Sequence, residues 1–250
     1  MFDQIRSDLR IKPRVSAVLV ITALLMTVML IIAPQLRLNY GVHDSLGVSF
    51  TTRMTVPFCH GYSTTTTIIH LLANVVLFYF VASFLEKVIG SFRFLVATLI
   101  SYVAYILIHR LLLMIGHGLT PLIMTYSGMM FIVLFEGRYV KTNTVFDDYY
   151  KTLWGIQIAL WLVAPVVFSI IPIYFDAQSD LVGKIVLGNT AHFVCGILGI
   201  LLGFVFRNHI RKKLVQYTRK KYIKHDWMDD KAWYFSFGFM LFLILKIFLF

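Results

Sequence analysis

The chain has 250 residues, 59% of them hydrophobic and only 14% charged, with a mean hydropathy of +0.79; a soluble domain holds roughly 45–50% and about 25%. Twenty-three Lys and Arg against twelve Asp and Glu leave a net charge of +11. These values exclude a disordered chain, a coiled coil, a disulfide scaffold and a soluble enzyme, and they indicate a polytopic, all-α membrane protein.

A bilayer core needs about 20 predominantly apolar residues per helix. In chain order the runs that meet this are residues 15–34, 68–85, 94–115, 123–135, 153–174, 185–206 and 233–250. The fourth is short and needs neighbours to bury its ends. Basic residues alternate across these seven runs. Eighteen Lys and Arg fall on the side of the N-terminus and four on the other, with Lys246 inside the last run. Cytoplasmic loops carry the Lys/Arg excess, so the N-terminus is expected inside. The organisation that follows is a cytoplasmic segment over 1–14, a six-helix membrane domain over 15–206, a basic cytoplasmic linker over 207–232 and a seventh helix over 233–250.

The linker reads as a retention signal and a contact for anionic lipid. A nucleic-acid site would interleave aromatic residues regularly with the charges, and over 207–224 only Tyr217 and Tyr222 stand among them. Asp3 and Asp8 interrupt the basic N-terminus and no small-residue cleavage site follows the first run, so that run is expected to stay as a signal anchor. Two cysteines, Cys59 and Cys195, permit at most one bridge; Cys195 lies within an apolar run, and two free thiols are expected. No phosphate loop, dinucleotide fingerprint, cofactor motif or metal-ligand cluster is present.

Polar groups inside a span cost several kcal/mol unless they face a cavity or a partner. His70 and Asn74 stand one turn apart in the second run, on one helix face. Ser127 opens the fourth run and His192 lies near the outer end of the sixth. Counted from the outer ends of their runs, all four fall in the outer third of the membrane, none deeper than about 10 Å. Their types suit acyl transfer. A serine becomes a nucleophile through an adjacent base, and His192 is the candidate. His70, the Asn74 carboxamide and the Ser127 backbone N–H are candidate oxyanion donors. No acidic residue stands near His192 to orient it, so a dyad is expected, with the Phe131 ring packing on the imidazole. Taken singly, each residue has a packing explanation: a core histidine bonded to a carbonyl, a serine bonded to its own helix, glycines for close helix approach. Their common depth is what joins them.

At these positions the chain resembles the rhomboid family of intramembrane serine proteases. His70-Leu-Leu-Ala-Asn74 is similar to the family's H-x-x-x-N, and Glu86 to Gly90 to its E-x-x-x-G. Ser127-Gly128 resembles the end of the G-x-S-G nucleophile motif, with Phe131 as its aromatic four residues on. Ala191-His192 with downstream Gly199 resembles the sixth-helix motif, and Arg53 the arginine of a W-R pair. Thr125 stands where the family has a glycine, Thr52 where it has the tryptophan, and Thr65 where a histidine is common, although His60 lies ten residues before His70.

The resemblance implies a six-helix bundle with an added seventh helix. It implies Ser127 as nucleophile, His192 as base, and His70 and Asn74 in the oxyanion hole. Glu86 would be structural, and Gly199 would let the fourth and sixth helices approach. The loop over 35–67 would lie beside the site, and the fifth helix would gate the entry of transmembrane substrates from the bilayer. The function expected is cleavage in or next to a partner's transmembrane segment in an inner cell membrane, without cofactor. The alternative is a catalytically inactive relative that binds and escorts transmembrane helices. A transporter would need paired intramembrane charges, which no run carries.

Overall fold

The computed structural model describes residues 1–8, 12–33, 53–60, 64–111, 118–140, 147–163, 165, 179–219 and 227–249; side chains at 64–67, 179–187 and 247–249 are not described. Among these residues every regular element is helical. The α-helices are α1 (Phe2–Ser7), α2 (Arg14–Ile32), α3 (Thr64–Ile89), α4 (Ser91–Leu111), α5 (Thr120–Val140), α6 (Asp148–Ile158), α7 (Ser179–Val205), α8 (Arg207–Thr218) and α9 (Trp227–Leu249). A 3-10 turn at Val56–Phe58 precedes α3, and a π-turn at Ala159–Val163 continues α6. Within α2, α3, α4, α5 and α7, five stretches are long and apolar enough to cross a membrane. Large apolar side chains such as Val76, Leu201 and Phe235 stay exposed on the outside of the bundle. That is the arrangement of helices solvated by lipid rather than water.

Contacts fix the alternating direction of the helices. At one end, the Glu86 carboxylate near the close of α3 accepts from the backbone N–H of Val15 at 3.1 Å and of Ser16 at 2.8 Å. It also accepts from the hydroxyls of Ser16 and Ser91, both at 2.6 Å. Two of the first-turn N–H groups of α2, which have no partner in their own helix, are thus capped from another helix. Glu86 thereby joins α2, α3 and the start of α4. Gly90 turns α3 into α4 at φ +86°, a conformation suited to glycine. Asp229 of α9 lies against it and accepts from the Phe92 N–H at 2.9 Å. At the same end Glu136 of α5 pairs with Arg207 at 2.5 Å, and Gly137 leaves the space that the Phe2 ring fills.

Two elements differ from the sequence expectation. The segment expected as an extended basic linker from residue 207 opens as an amphipathic helix, α8, which buries Ile210, Leu214 and Tyr217. The N-terminal segment contains α1, whose Phe2 and Ile5 are fully buried. Phe2 packs on Phe84 and Tyr150, and the terminal ammonium reaches Asp147 at 3.3 Å. The second and fourth expected runs also end too early. The short fourth run becomes a 21-residue helix, because Pro121 suits a first helical turn and Glu136 is neutralised by Arg207.

α5 is the central helix, with nearly every residue from Pro121 to Gly137 buried. It packs on α7 along small residues. A Cβ on Gly128 would strike the Gly196 carbonyl oxygen, and one on Gly199 the Thr125 carbonyl oxygen. Backbone therefore meets backbone along this seam. At the opposite end from Glu86, Arg53 donates to the His109 carbonyl at 3.0 Å, and Tyr102 donates to the Met54 carbonyl at 2.6 Å. Phe239 of α9 packs on Phe58 and Tyr102.

Candidate active site

α5 carries two pairs of neighbouring positions to different partners, because successive residues of a helix turn by about 100°. Thr125 and Gly128 face α7. Thr125 Oγ1 lies 3.1 Å from the Cys195 carbonyl and 2.7 Å from the Ser101 hydroxyl, so it ties α4, α5 and α7 together. The residue that departs from the family glycine thus acts as a staple. Ser127 and Phe131, one turn apart, face α6 instead. The buried Ser127 hydroxyl donates to the Gln157 carboxamide oxygen and accepts the Trp161 indole N–H at 2.7 Å.

His192 lies on α7 one turn before Cys195 and Gly196. It is half-buried, lies within electrostatic range of His70 and makes no hydrogen bond among the described residues. The helices meant to meet do meet, but Ser127 and His192 are not hydrogen-bonded. The expected Phe131–His192 stacking is also not formed. The Phe131 ring lies 5.8 Å from Trp154 and 5.3 Å from Trp161, because its face of α5 is the one turned to α6.

The oxyanion candidates cluster on the other side. His70 packs edge-on to His60, ring centroids 5.2 Å apart, and His60 Nδ1 lies 3.2 Å from the Thr27 hydroxyl. His60 therefore occupies the place beside His70. The side chain of Thr65 lies outside the described ones. Asn74 is buried; its carboxamide oxygen accepts from Thr120 Oγ1 at 3.2 Å, and its Nδ2 has no partner among the described residues. Gly118, at φ +99°, lets the chain pass close to both: a Cβ there would stand 3.1 Å from His60 and 3.4 Å from Asn74 Nδ2. Ser127 is the eighth residue of α5, beyond the first turn whose N–H groups lack helical acceptors. Of the expected donors, Asn74 is the one with a buried N–H to spare.

Gln157 and Trp161 are the residues that the sequence reading misses. A strongly polar Gln157 in the fifth run was a visible signal. Counted from a start at residue 153, however, it belongs near the inner surface, far from Ser127. α6 starts five residues earlier, at Asp148, which carries Gln157 and Trp161 deeper. Most of the loop over 35–67 lies outside the described residues, as do 164 and 166–178, where the fifth run was expected to continue.

A comparison with curated proteins finds no match, and one with solved structures finds none. Among protein-family models, the Rhomboid domain matches residues 47–209. That span holds α3 to α7 and every candidate site residue, from His70 to Gly199. It covers well over half of the sequence, and the chain belongs to the rhomboid domain family.

Proposed function

We propose that this protein is an intramembrane serine endopeptidase that hydrolyses peptide bonds in or next to the transmembrane segments of partner proteins. The observation that carries the reading is the backbone-close seam between α5 and α7. Its contacts, Thr125 on Cys195 and Gly128 on Gly196, flank Ser127 on one helix and lie one turn from His192 on the other. In the reaction His192 takes the Ser127 proton as Oγ attacks the scissile carbonyl carbon. Asn74 Nδ2 and His70 receive the oxyanion. His192 then passes its proton to the departing amine. Water, deprotonated by His192, hydrolyses the ester and restores the hydroxyl. Gly199 keeps the two helices close, and Phe131 backs the gate-facing side of Ser127.

The excess of Lys and Arg at the α1 end supports a cytoplasmic N-terminus and a site opening toward the other face of an inner cell membrane. The bundle over 15–206, with α9 as a seventh helix, is the unit that would receive the substrate helix.

One observation favours a second reading, a non-catalytic binder of transmembrane helices: the Ser127 hydroxyl is bonded to α6 and not to His192. Cleavage of a single-span model substrate in proteoliposomes separates the two. The protease reading predicts cleavage by the wild type and none by Ser127→Ala of equal thermal stability. Equal cleavage by both would reject it, and binding without cleavage by either would favour the second.

A further inference from the structure

The Ser127 hydroxyl has one proton and accepts through its lone pairs. Its proton is given to Gln157 and a lone pair takes the Trp161 N–H. In this arrangement the proton is directed away from His192, and one of the two lone pairs of the attacking oxygen is engaged. Both partners lie four residues apart on one face of α6 and its π-turn, so a single helix holds the hydroxyl from two directions. π-turns are uncommon and frequently stand at functional sites.

This half of α6 turns one side to lipid and the other to the bundle. Ile158, Leu162 and Val163 are exposed by half or more, whereas Gln157, Leu160 and Trp161 face inward. Trp161 is seated with care. Its ring fills the space over Gly196, where any Cβ would overlap it, and it packs on Phe131 and on Phe193 at 5.9 Å. It therefore straddles the α5–α7 seam, next to the nucleophile. Gln157 Nε2 is buried without a partner among the described residues. A buried amide donor left unpaired is unfavourable, and an unwound peptide segment arriving between α5 and α6 carries the carbonyl oxygen that would pair it.

We infer that Gln157 and Trp161 form a latch, tying the Ser127 hydroxyl to α6 in the resting protein and releasing it to His192 when a substrate segment displaces α6. The inference rests on the reading of Ser127 as nucleophile. Gln157 and Trp161 are positioning residues: they set the direction of the hydroxyl and are not consumed in the reaction. The glycine at 196 is part of the device, as the seat of the indole.

Two measurements on the full chain in nanodiscs test this. The first is the 15N-indole resonance of Trp161, assigned by its loss in Trp161→Phe. The latch predicts that this resonance moves in Ser127→Ala and in Gly196→Ala; an unmoved resonance in Ser127→Ala overturns it. The second is the rate at which a fluorophosphonate labels Ser127. Gln157→Leu and Trp161→Phe, at unchanged melting temperature, should label about tenfold faster than wild type, the equivalent of one hydrogen bond of about 1.4 kcal/mol. Wild-type labelling that no variant accelerates overturns the latch and leaves the protease reading standing. A resonance that moves while Ser127 is labelled in none of the proteins rejects the nucleophile, and the latch with it.

Discussion

Replacing Glu86 by alanine would remove one carboxylate and leave four donors without an acceptor. These are the N–H groups of Val15 and Ser16 and the hydroxyls of Ser16 and Ser91, all now within 3.1 Å of it. The side chain is fully buried, so water does not take over the lost bonds. A buried group left unpaired costs about 1–3 kcal/mol. The two hydroxyls can turn to other acceptors, whereas the two N–H groups are fixed in the first turn of α2. Loss of a negative charge at a helix N-terminus adds about 0.3–1 kcal/mol. The expected destabilisation is about 2–7 kcal/mol, and at about 2–4 °C per kcal/mol for a chain of this size the melting temperature falls by roughly 5–28 °C. Cys59 and Cys195 are both free and buried, so a thiol-reactive dye reports unfolding in detergent without added labels. Glu86→Gln, which keeps one acceptor oxygen, should lie between alanine and wild type. A melting temperature of Glu86→Ala within about 2 °C of wild type would refute the argument that this carboxylate joins α2, α3 and α4.

Two glycines of the same composition class should respond oppositely. Gly199→Ala drives a methyl into the Thr125 carbonyl and should cost about 1–3 kcal/mol, whereas Gly155→Ala meets nothing within 4 Å and should gain about 0.5–1 kcal/mol from helix propensity; thermal melts of the pair check both signs. Thr125→Gly, which restores the family's residue, should lose the tie to Ser101 and Cys195 and lower stability by about 1–2 kcal/mol, read in the same melt. On α8, burial together with Arg93, Lys213 and Lys212 holds the His209 imidazole down to about 4, from an ordinary 6.5. Between those values the unfolded chain binds a proton that the folded one refuses, so stability falls as the pH drops from 6.5 toward 4. Discounted for solvent screening of a ring that is only half buried, the loss should be about 1 kcal/mol by pH 5, and His209→Gln should flatten that part of the pH–melting curve.

The spans were legible because lipid demands apolar length, and length survives in composition. Their ends were not. Thr64 to Thr67 and Glu136 to Val140 look like loop, yet they are helical, because partners such as Arg207 satisfy what composition alone marks as polar. α8 was hidden for a similar reason: four of its twelve residues are Lys or Arg, and the three buried residues Ile210, Leu214 and Tyr217 that pin it are spaced by four and three. The candidate site was legible in height but not in direction. Distance along a helix places His70, Asn74, Ser127 and His192 near one level, and Asn74 proves to have a donor to spare. The facing of Ser127 depends on which side of α5 receives α6 and which α7. That is decided by Thr125, Gly128, Gly196 and Gly199, residues whose smallness reads in sequence only as generic packing.

The central claim is that Ser127 is a nucleophile served by His192. Its most direct measurement is mapping the fluorophosphonate adduct by mass spectrometry in the full-length protein in bilayers. The account predicts one adduct, on the peptide containing Ser127, absent in Ser127→Ala and strongly slowed in His192→Ala. An adduct at another residue, or labelling of Ser127 at an undiminished rate without the imidazole of His192, would contradict it.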